Sequence, residues 1–125
     1  MLVTVANVLA GLVAAGIVVI GARVFWAPRA AAGFGIPHTP TEDRTVQAWL
    51  TVKGVRDMAC GLFVVVLMLT ATPHVLGWFM LAAAAIPVGD GLIVLRSKGA
   101  KAVAFGVHWG TAAVMVVISV LLLLS

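Results

Sequence analysis

Ionisable side chains lie inside apolar stretches of this sequence, where charge is otherwise rare. Lys53, Arg56 and Asp57 share one stretch, and Asp90 and His108 occupy two others. A carboxyl group held away from water can donate or accept a proton, and histidine can relay one. We therefore predict Asp90, Asp57 and His108 as catalytic residues acting by acid–base chemistry.

A stripe along one of these stretches carries side chains suited to holding a ligand. Trp49, Lys53, Arg56 and Cys60 recur at intervals of three or four residues, which places them on one helical face. Cationic groups can hold an anionic or carbonyl group of a small molecule. We predict that Lys53, Arg56 and Trp49 are ligand-binding and that Cys60 packs as a small apolar residue.

The same charges are predicted to pair with one another. Asp57 follows Lys53 by four residues, so the two can meet along the helix. Arg56 is then expected to reach across to Asp90 on another helix. Two positive and two negative charges cancel, and a neutral cluster is the arrangement that a low dielectric favours.

The composition requires a membrane around these residues. Of 125 residues, 63% are apolar and 10% are charged, against about 25% charged in soluble domains. A soluble domain this short leaves much of its area exposed, so it cannot hide so much apolar surface. The net charge of +4 comes from basic residues between apolar runs, which indicates lipid head groups and topology signals and not nucleic acid.

The apolar sequence divides into stretches of the length that crosses a bilayer. A hydrocarbon core of about 30 Å needs about 20 helical residues. We predict an all-α integral membrane four-helix bundle that forms a single domain over residues 1–125. The predicted spans cover about residues 2–22, 50–71, 75–95 and 102–124.

The charges of the second span cannot be left in water. An apolar segment from Met58 to Ala71 would have about 14 residues, or about 21 Å, which is too short to cross. Lys53, Arg56 and Asp57 therefore fall inside the hydrocarbon boundary. Groups this costly in lipid normally face the bundle interior and pair there.

Other residues predict local backbone geometry. The Thr-Pro-Thr-Glu motif at residues 39–42 is typical of a helix start and places the beginning of the second helix there. Pro87 removes a helical hydrogen bond one turn before Asp90, and broken membrane helices often line cavities. Gly106 and Gly110 form a GxxxG motif, which favours a close helix contact within the bundle or between subunits of a homo-oligomer.

The basic residues also predict orientation. Every lysine and arginine outside the second span lies in residues 23–45 or 96–101, and the opposite end of the bundle has none. Because positively charged loops stay in the cytoplasm, we predict that both loops are cytoplasmic. Both termini are then outside, in an integral protein of the plasma membrane.

The most distinctive motifs resemble those of a known family. They are Phe34-Gly35-Ile36-Pro37, Lys53-Gly54-Val55-Arg56-Asp57, Pro87-Val88-Gly89-Asp90 and the His-Trp-Gly-Thr-Ala run that begins at His108. Over nearly the whole chain the sequence is similar to an uncharacterised family of small four-helix membrane proteins, loosely similar to DoxX-like proteins. The resemblance implies a fold and a membrane location, and it marks the same charged residues, but it implies no activity.

Three functions remain open on these observations. The charged layer is predicted to form a pocket for a lipophilic small molecule, with acid–base chemistry of an isomerase or cyclase kind. One alternative is a small oligomeric transporter or channel, with the cluster as its ion site. The other is a structural or partner subunit, in which Asp90→Asn would harm folding alone. No cofactor is predicted, and no metal site, because Lys53 and Arg56 would compete with a cation at Asp57, Asp90 and His108.

Overall fold

The chain is entirely helical in the computed structural model, which describes residues 1–125. The elements in chain order are α1 (Leu2–Arg23), a 3₁₀ helix (Pro28–Phe34), α2 (Arg44–Thr70), α3 (Pro73–Ala83), α4 (Ala85–Arg96), α5 (Lys101–Val103), a π-helical segment (Ala104–Trp109) and α6 (Gly110–Leu123). The prediction of an all-α protein is confirmed.

Three continuous helical stretches are long and apolar enough to cross a membrane. They are Leu2–Arg23, Pro73–Arg96 and Lys101–Leu123, and they agree with three of the expected spans. The helix α2 is longer, at 27 residues, but its charged residues interrupt the apolar sequence. The three stretches indicate a membrane protein.

The start of α2 lies later than its sequence motif suggested. The prediction of a start at residues 39–42 is wrong, because the helix begins at Arg44 and Asp43 is its N-cap. The Asp43 side chain accepts a hydrogen bond from the Val46 N–H at 2.9 Å. Thr39 instead donates to the Ile36 carbonyl at 2.8 Å and closes a turn. Thr39 and Asp43 are both suitable N-cap residues, and Asp43, which lies nearer the helix, is the one that caps it.

Glycines let α1 and α2 touch along their backbones. A Cβ added at Gly54 would lie 2.5 Å from the carbonyl oxygen of Gly21, and one at Gly61 would lie 2.7 Å from that of Ala14. Close backbone approach of this kind supplies much of the association between helices in lipid. By contrast, nothing lies within 4 Å of a Cβ at Gly106, so the GxxxG motif makes no such contact inside the chain.

A cluster of buried apolar side chains lies at one end of these helices, and we call it the apolar core. Its members are Ala6, Ala10, Ala14, Val64, Leu76, Met80, Ala84, Met115, Ile118 and Leu122. Small alanines on α1 allow larger side chains of α3 and α6 to pack against that helix. The buried hydroxyl of Ser119 donates to the Gly77 carbonyl at 2.8 Å and so is satisfied.

Two interruptions shape the helices at the other end. The break at Ala84 separates α3 from α4, one turn before Pro87, as the missing N–H of that proline predicts. The π-helical segment interrupts the last helical stretch and carries His108, which is buried. Nothing in the sequence analysis anticipated this segment. Such segments are frequent at functional sites, because they reposition side chains within a helix.

Candidate functional site

A cavity of about 740 Å³ lies between α1, α2, α4, the 3₁₀ helix and the π-helical segment. Its walls are mostly apolar, and members of the apolar core, among them Val64 and Met80, form its floor. Four ionisable side chains predicted from the sequence line it. They are Lys53, Asp57, Asp90 and His108. The volume falls within the range of about 300–1,000 Å³ typical of small-molecule sites.

A smaller groove of about 490 Å³ lies between α2 and α4. Lys53, Asp57 and Asp90 line both the groove and the cavity, whereas Arg56 and Phe63 line the groove alone. The two helices have few close backbone approaches to each other. Lys53, Asp57 and Asp90 therefore lie between the cavity and the groove.

Lys53 and Asp57 form the ion pair that their spacing predicted. The Lys53 Nζ lies 2.6 Å from Asp57 Oδ2, and the Asp57 side chain is only 15% exposed. The same ammonium group lies 5.1 Å from the centre of the Phe34 ring, a cation–π distance. The lysine therefore uses one of its three N–H donors on Asp57 and holds its charge beside an aromatic ring.

Arg56 does not reach Asp90, and the prediction of that second ion pair is wrong. The ion pairs of the structure are Lys53–Asp57 and the surface pair Arg29–Glu42. Arg56 is exposed, and its guanidinium donates only to the Val52 carbonyl of its own helix, at 3.4 Å. Neighbouring residues on an α-helix point about 100° apart. Arg56 lines the groove alone, whereas Asp57 lines both the groove and the cavity.

Asp90 is consequently a carboxylate of the site without an ion-pair partner. Its carboxylate has no ion-pair partner and no hydrogen bond within the protein, and its oxygens are not sealed from the cavity. Trp109 braces the turn that carries it by donating from Nε1 to the Val88 carbonyl at 3.1 Å. The indole ring also lies where a side chain at Gly91 would be. The turn is held in place while the carboxylate is left free.

His108 joins the π-helical segment to the 3₁₀ helix. Its Nε2 lies 2.7 Å from the Phe34 carbonyl oxygen, and the two rings are 4.4 Å apart. A carbonyl oxygen can only accept, so Nε2 carries the hydrogen and donates. The loop segment is thereby fastened over the cavity.

Phe34 is a site residue that the sequence analysis missed. It contacts both Lys53 and His108, although it lies in a loop far from either in sequence. The adjacent Gly35 has a φ of +106°, which glycine adopts without strain. The Phe34-Gly35-Ile36-Pro37 motif was the available signal, but its long-range contacts cannot be read from the sequence.

Trp49 lies away from the other predicted site residues. It lines neither the cavity nor the groove and is 70% exposed. The structure therefore does not bring it to the ligand position, and its exposed indole is suited to the membrane interface. Asp57, Asp90 and His108 do not converge as a metal-ligand group in the structure.

Comparison with known families identifies the chain. A family model described as a domain of unknown function, DUF4267, matches residues 14–122. The chain belongs to this family, and the match includes every residue that lines the cavity except Val13. The resemblance to an uncharacterised family is confirmed, whereas the looser likeness to DoxX-like proteins is not. No curated protein and no solved structure matches the chain.

Proposed function

We propose that this member of the DUF4267 family binds a lipophilic small molecule in the cavity between its membrane helices. The observation that carries the proposal is an apolar space of about 740 Å³ in which a few polar side chains converge. Ligand sites have this composition, with apolar walls for burial and few polar groups for orientation. Interiors without a ligand are normally close-packed.

The proposal includes a four-helix bundle with α2 as its fourth membrane span. Lys53 and Asp57 support this topology, because they pair with each other where they line the cavity. The basic loops at residues 23–45 and 96–101 are then cytoplasmic, with both termini outside and the protein in the plasma membrane. The charged side of the cavity lies in the cytoplasmic half of the bilayer.

The ligand reaches the cavity sideways from the membrane. Ile20 of α1 and Val107 of the π-helical segment both line the cavity, yet they are 57% and 52% exposed. The lining therefore reaches the surface of the protein. In a bilayer these exposed side chains face acyl chains, from which a lipophilic molecule can diffuse without crossing water.

The proposed chemistry at this site is a proton transfer within the bound molecule. The free carboxylate of Asp90 removes a proton from one carbon, and the proton returns at another, so no oxidant or cofactor is needed. Asp57, held by Lys53, supplies a fixed negative charge, and His108 relays protons through Nδ1 because its Nε2 is committed to Phe34. Incorporation of solvent deuterium into the bound molecule by the wild type, and not by Asp90→Asn, would test this step.

The first test is mass spectrometry of small molecules that co-purify with the protein in mild detergent. Gly16 lines the cavity and has nothing within 4 Å of a Cβ, so Gly16→Phe introduces a bulky ring at the cavity wall with room for its Cβ. Gly106→Phe is its matched control, because that glycine faces open space outside the cavity. We expect a specific lipophile in the wild type and the control and its loss from Gly16→Phe. The same bulk lipid in all three would contradict a ligand cavity.

The native cysteine provides a second, independent test. Cys60 lines both the cavity and the groove and is the only cysteine of the chain. A bound molecule should slow its alkylation by N-ethylmaleimide, and delipidation should restore the rate. In the control double variant Cys60→Ala/Val66→Cys the thiol moves to a lipid-facing position that is 47% exposed in the wild type. An equal effect of delipidation on both proteins would count against occupancy of the cavity.

A further inference from the structure

The hydrogen-bonding groups of the cavity define the kind of molecule that it accepts. We propose that the polar end of the ligand is a hydrogen-bond donor, a hydroxyl or an amine, and that it binds the carboxylate of Asp90. The inference rests on the proposed function and narrows it to one chemical class. It follows from an account of which donors and acceptors the protein has already used.

Three of the donors in the cavity are engaged with protein partners, whereas the guanidinium of Arg23 is exposed. Lys53 gives one N–H to Asp57 at 2.6 Å and holds its charge over the Phe34 ring. His108 gives its Nε2 hydrogen to the Phe34 carbonyl at 2.7 Å. The Thr111 hydroxyl donates to the Val107 carbonyl of its own helix at 2.7 Å.

The acceptors, by contrast, remain available. Asp90 makes no hydrogen bond with the protein, so both of its oxygens can receive one from a ligand. Asp57 uses Oδ2 for the lysine and keeps its second oxygen. In the neutral ring of His108 the nitrogen left over, Nδ1, is also an acceptor. The unpartnered carboxylate of Asp90 therefore fits a ligand that donates a hydrogen bond.

The charge balance points the same way. Of the charged groups shared by the cavity and the groove, Lys53 and Asp57 cancel, which leaves the negative charge of Asp90 uncompensated. An anionic head group would be repelled at this point, whereas an amine would gain an ion pair and a hydroxyl a charge-assisted hydrogen bond. Arg23 lines the cavity and Arg56 lines the groove, but both are exposed and neither forms an ion pair with Asp90. An anionic head group is therefore disfavoured beside Asp90.

The test compares molecules that share a tail and differ only at the head. Dodecylamine, dodecanol, dodecyl methyl ether and dodecanoate are titrated against the wild-type protein in lipid nanodiscs, with protection of Cys60 from N-ethylmaleimide as the readout. A hydrogen bond to a charged group is worth about 1.5–3 kcal/mol, or roughly a ten- to hundredfold change in affinity. The amine and the alcohol should therefore protect at concentrations lower by that factor than the ether. The carboxylate should protect least.

Asp90→Asn assigns this preference to the carboxylate. The variant should lose at least about tenfold of the preference for the amine, since an ion pair is removed, while the ether is unaffected. Equal protection by the amine and the ether in the wild type, or tightest protection by dodecanoate, would overturn the donor class and leave the pocket standing. Protection by none of the four would instead contradict the proposed function. The wild-type series needs no variant, so a folding defect in Asp90→Asn cannot obscure it.

Discussion

The apolar core and the cavity are packed in opposite ways within the same helices. In the core, Ala6 and Ala10 of α1 are fully buried against Met80 and Leu122, and the polar Ser119 is matched to a carbonyl. At the cavity, α2 and α4 have few close backbone approaches to each other, and the carboxylate of Asp90 has no protein partner. Tight packing and an unsatisfied charge are kept in separate parts of the molecule.

This difference indicates a division between stability and ligand binding. In lipid, helices gain little from burial of apolar surface, so direct backbone and side-chain contact must hold them together. The core and the glycine contacts of α1 with α2 provide it. The cavity region gives up such contact and retains groups that are costly in lipid. Substitutions in the apolar core should therefore change the free energy of unfolding, whereas substitutions at the cavity should change ligand binding.

The largest loss of stability is expected where helix backbones touch. Gly54→Val places a side chain against the carbonyl of Gly21, and backbone cannot move aside as a flexible side chain can. We expect a loss of about 3 kcal/mol or more in the free energy of unfolding, measured by titration with sodium dodecyl sulfate. Gly106→Val, in open space, is the control. A similar small effect of both substitutions would show that the α1–α2 contact is unimportant.

A smaller loss is expected at the ion pair. Lys53→Met leaves Asp57 without its partner, and breaking a fully buried pair costs about 3–5 kcal/mol. Because the Lys53 side chain is 42% exposed, we expect about 1–3 kcal/mol in the same titration. The double variant Lys53→Met/Asp57→Leu should recover most of this loss. Failure to recover would mean that Lys53 stabilises through its contact with Phe34.

A local effect is expected at the bond that fastens the loop. His108→Leu removes the hydrogen bond to Phe34, which should cost about 1 kcal/mol overall. The clearer change should be faster hydrogen–deuterium exchange at residues 28–36, with exchange in the apolar core unchanged. Thr111→Val, which removes a bond within its own helix, serves as the control. Equal exchange at residues 28–36 in wild type and His108→Leu would show that another contact holds the loop.

The smallest change in stability is expected at the residue most important for binding. Asp90→Asn breaks no bond within the protein, so the free energy of unfolding should change by about 0.5 kcal/mol or less. Ligand retention should nevertheless fall. Strong destabilisation with no effect on any bound molecule would favour the alternative of a structural subunit.

The sequence predicted the parts of the structure that depend on local spacing. The three apolar helices and the ion pair of Lys53 with Asp57 follow from periods of about three to four residues along a helix. The error at Arg56 concerned a contact between two helices, since Arg56 and Asp90 line the same groove but form no ion pair. The break before Pro87 was also predictable, since it follows from a missing N–H.

Features that depend on contacts distant in sequence could not be predicted. Phe34 reaches the site because a loop folds over the helices, and nothing near it in the sequence encodes Lys53 or His108 as its neighbours. The glycine pair at Gly106 satisfied a known contact motif, but its face of the helix is open in the chain. A sequence motif identifies a helix face that is suited to close contact, but the fold determines which residues pack against that face.

The π-helical segment has a consequence for how this gene can change. A π turn closes its hydrogen bonds over five residues where an α turn uses four, so it accommodates one extra residue. Loss of a single codon within residues 104–109 would restore a regular helix and leave the downstream register of Ile118 and Leu122 against the core intact. Elsewhere in the membrane helices a one-residue deletion would rotate one helix face away from its partners. A deletion of one codon within residues 104–109 would chiefly change the position of His108. It would therefore alter the site while preserving the fold.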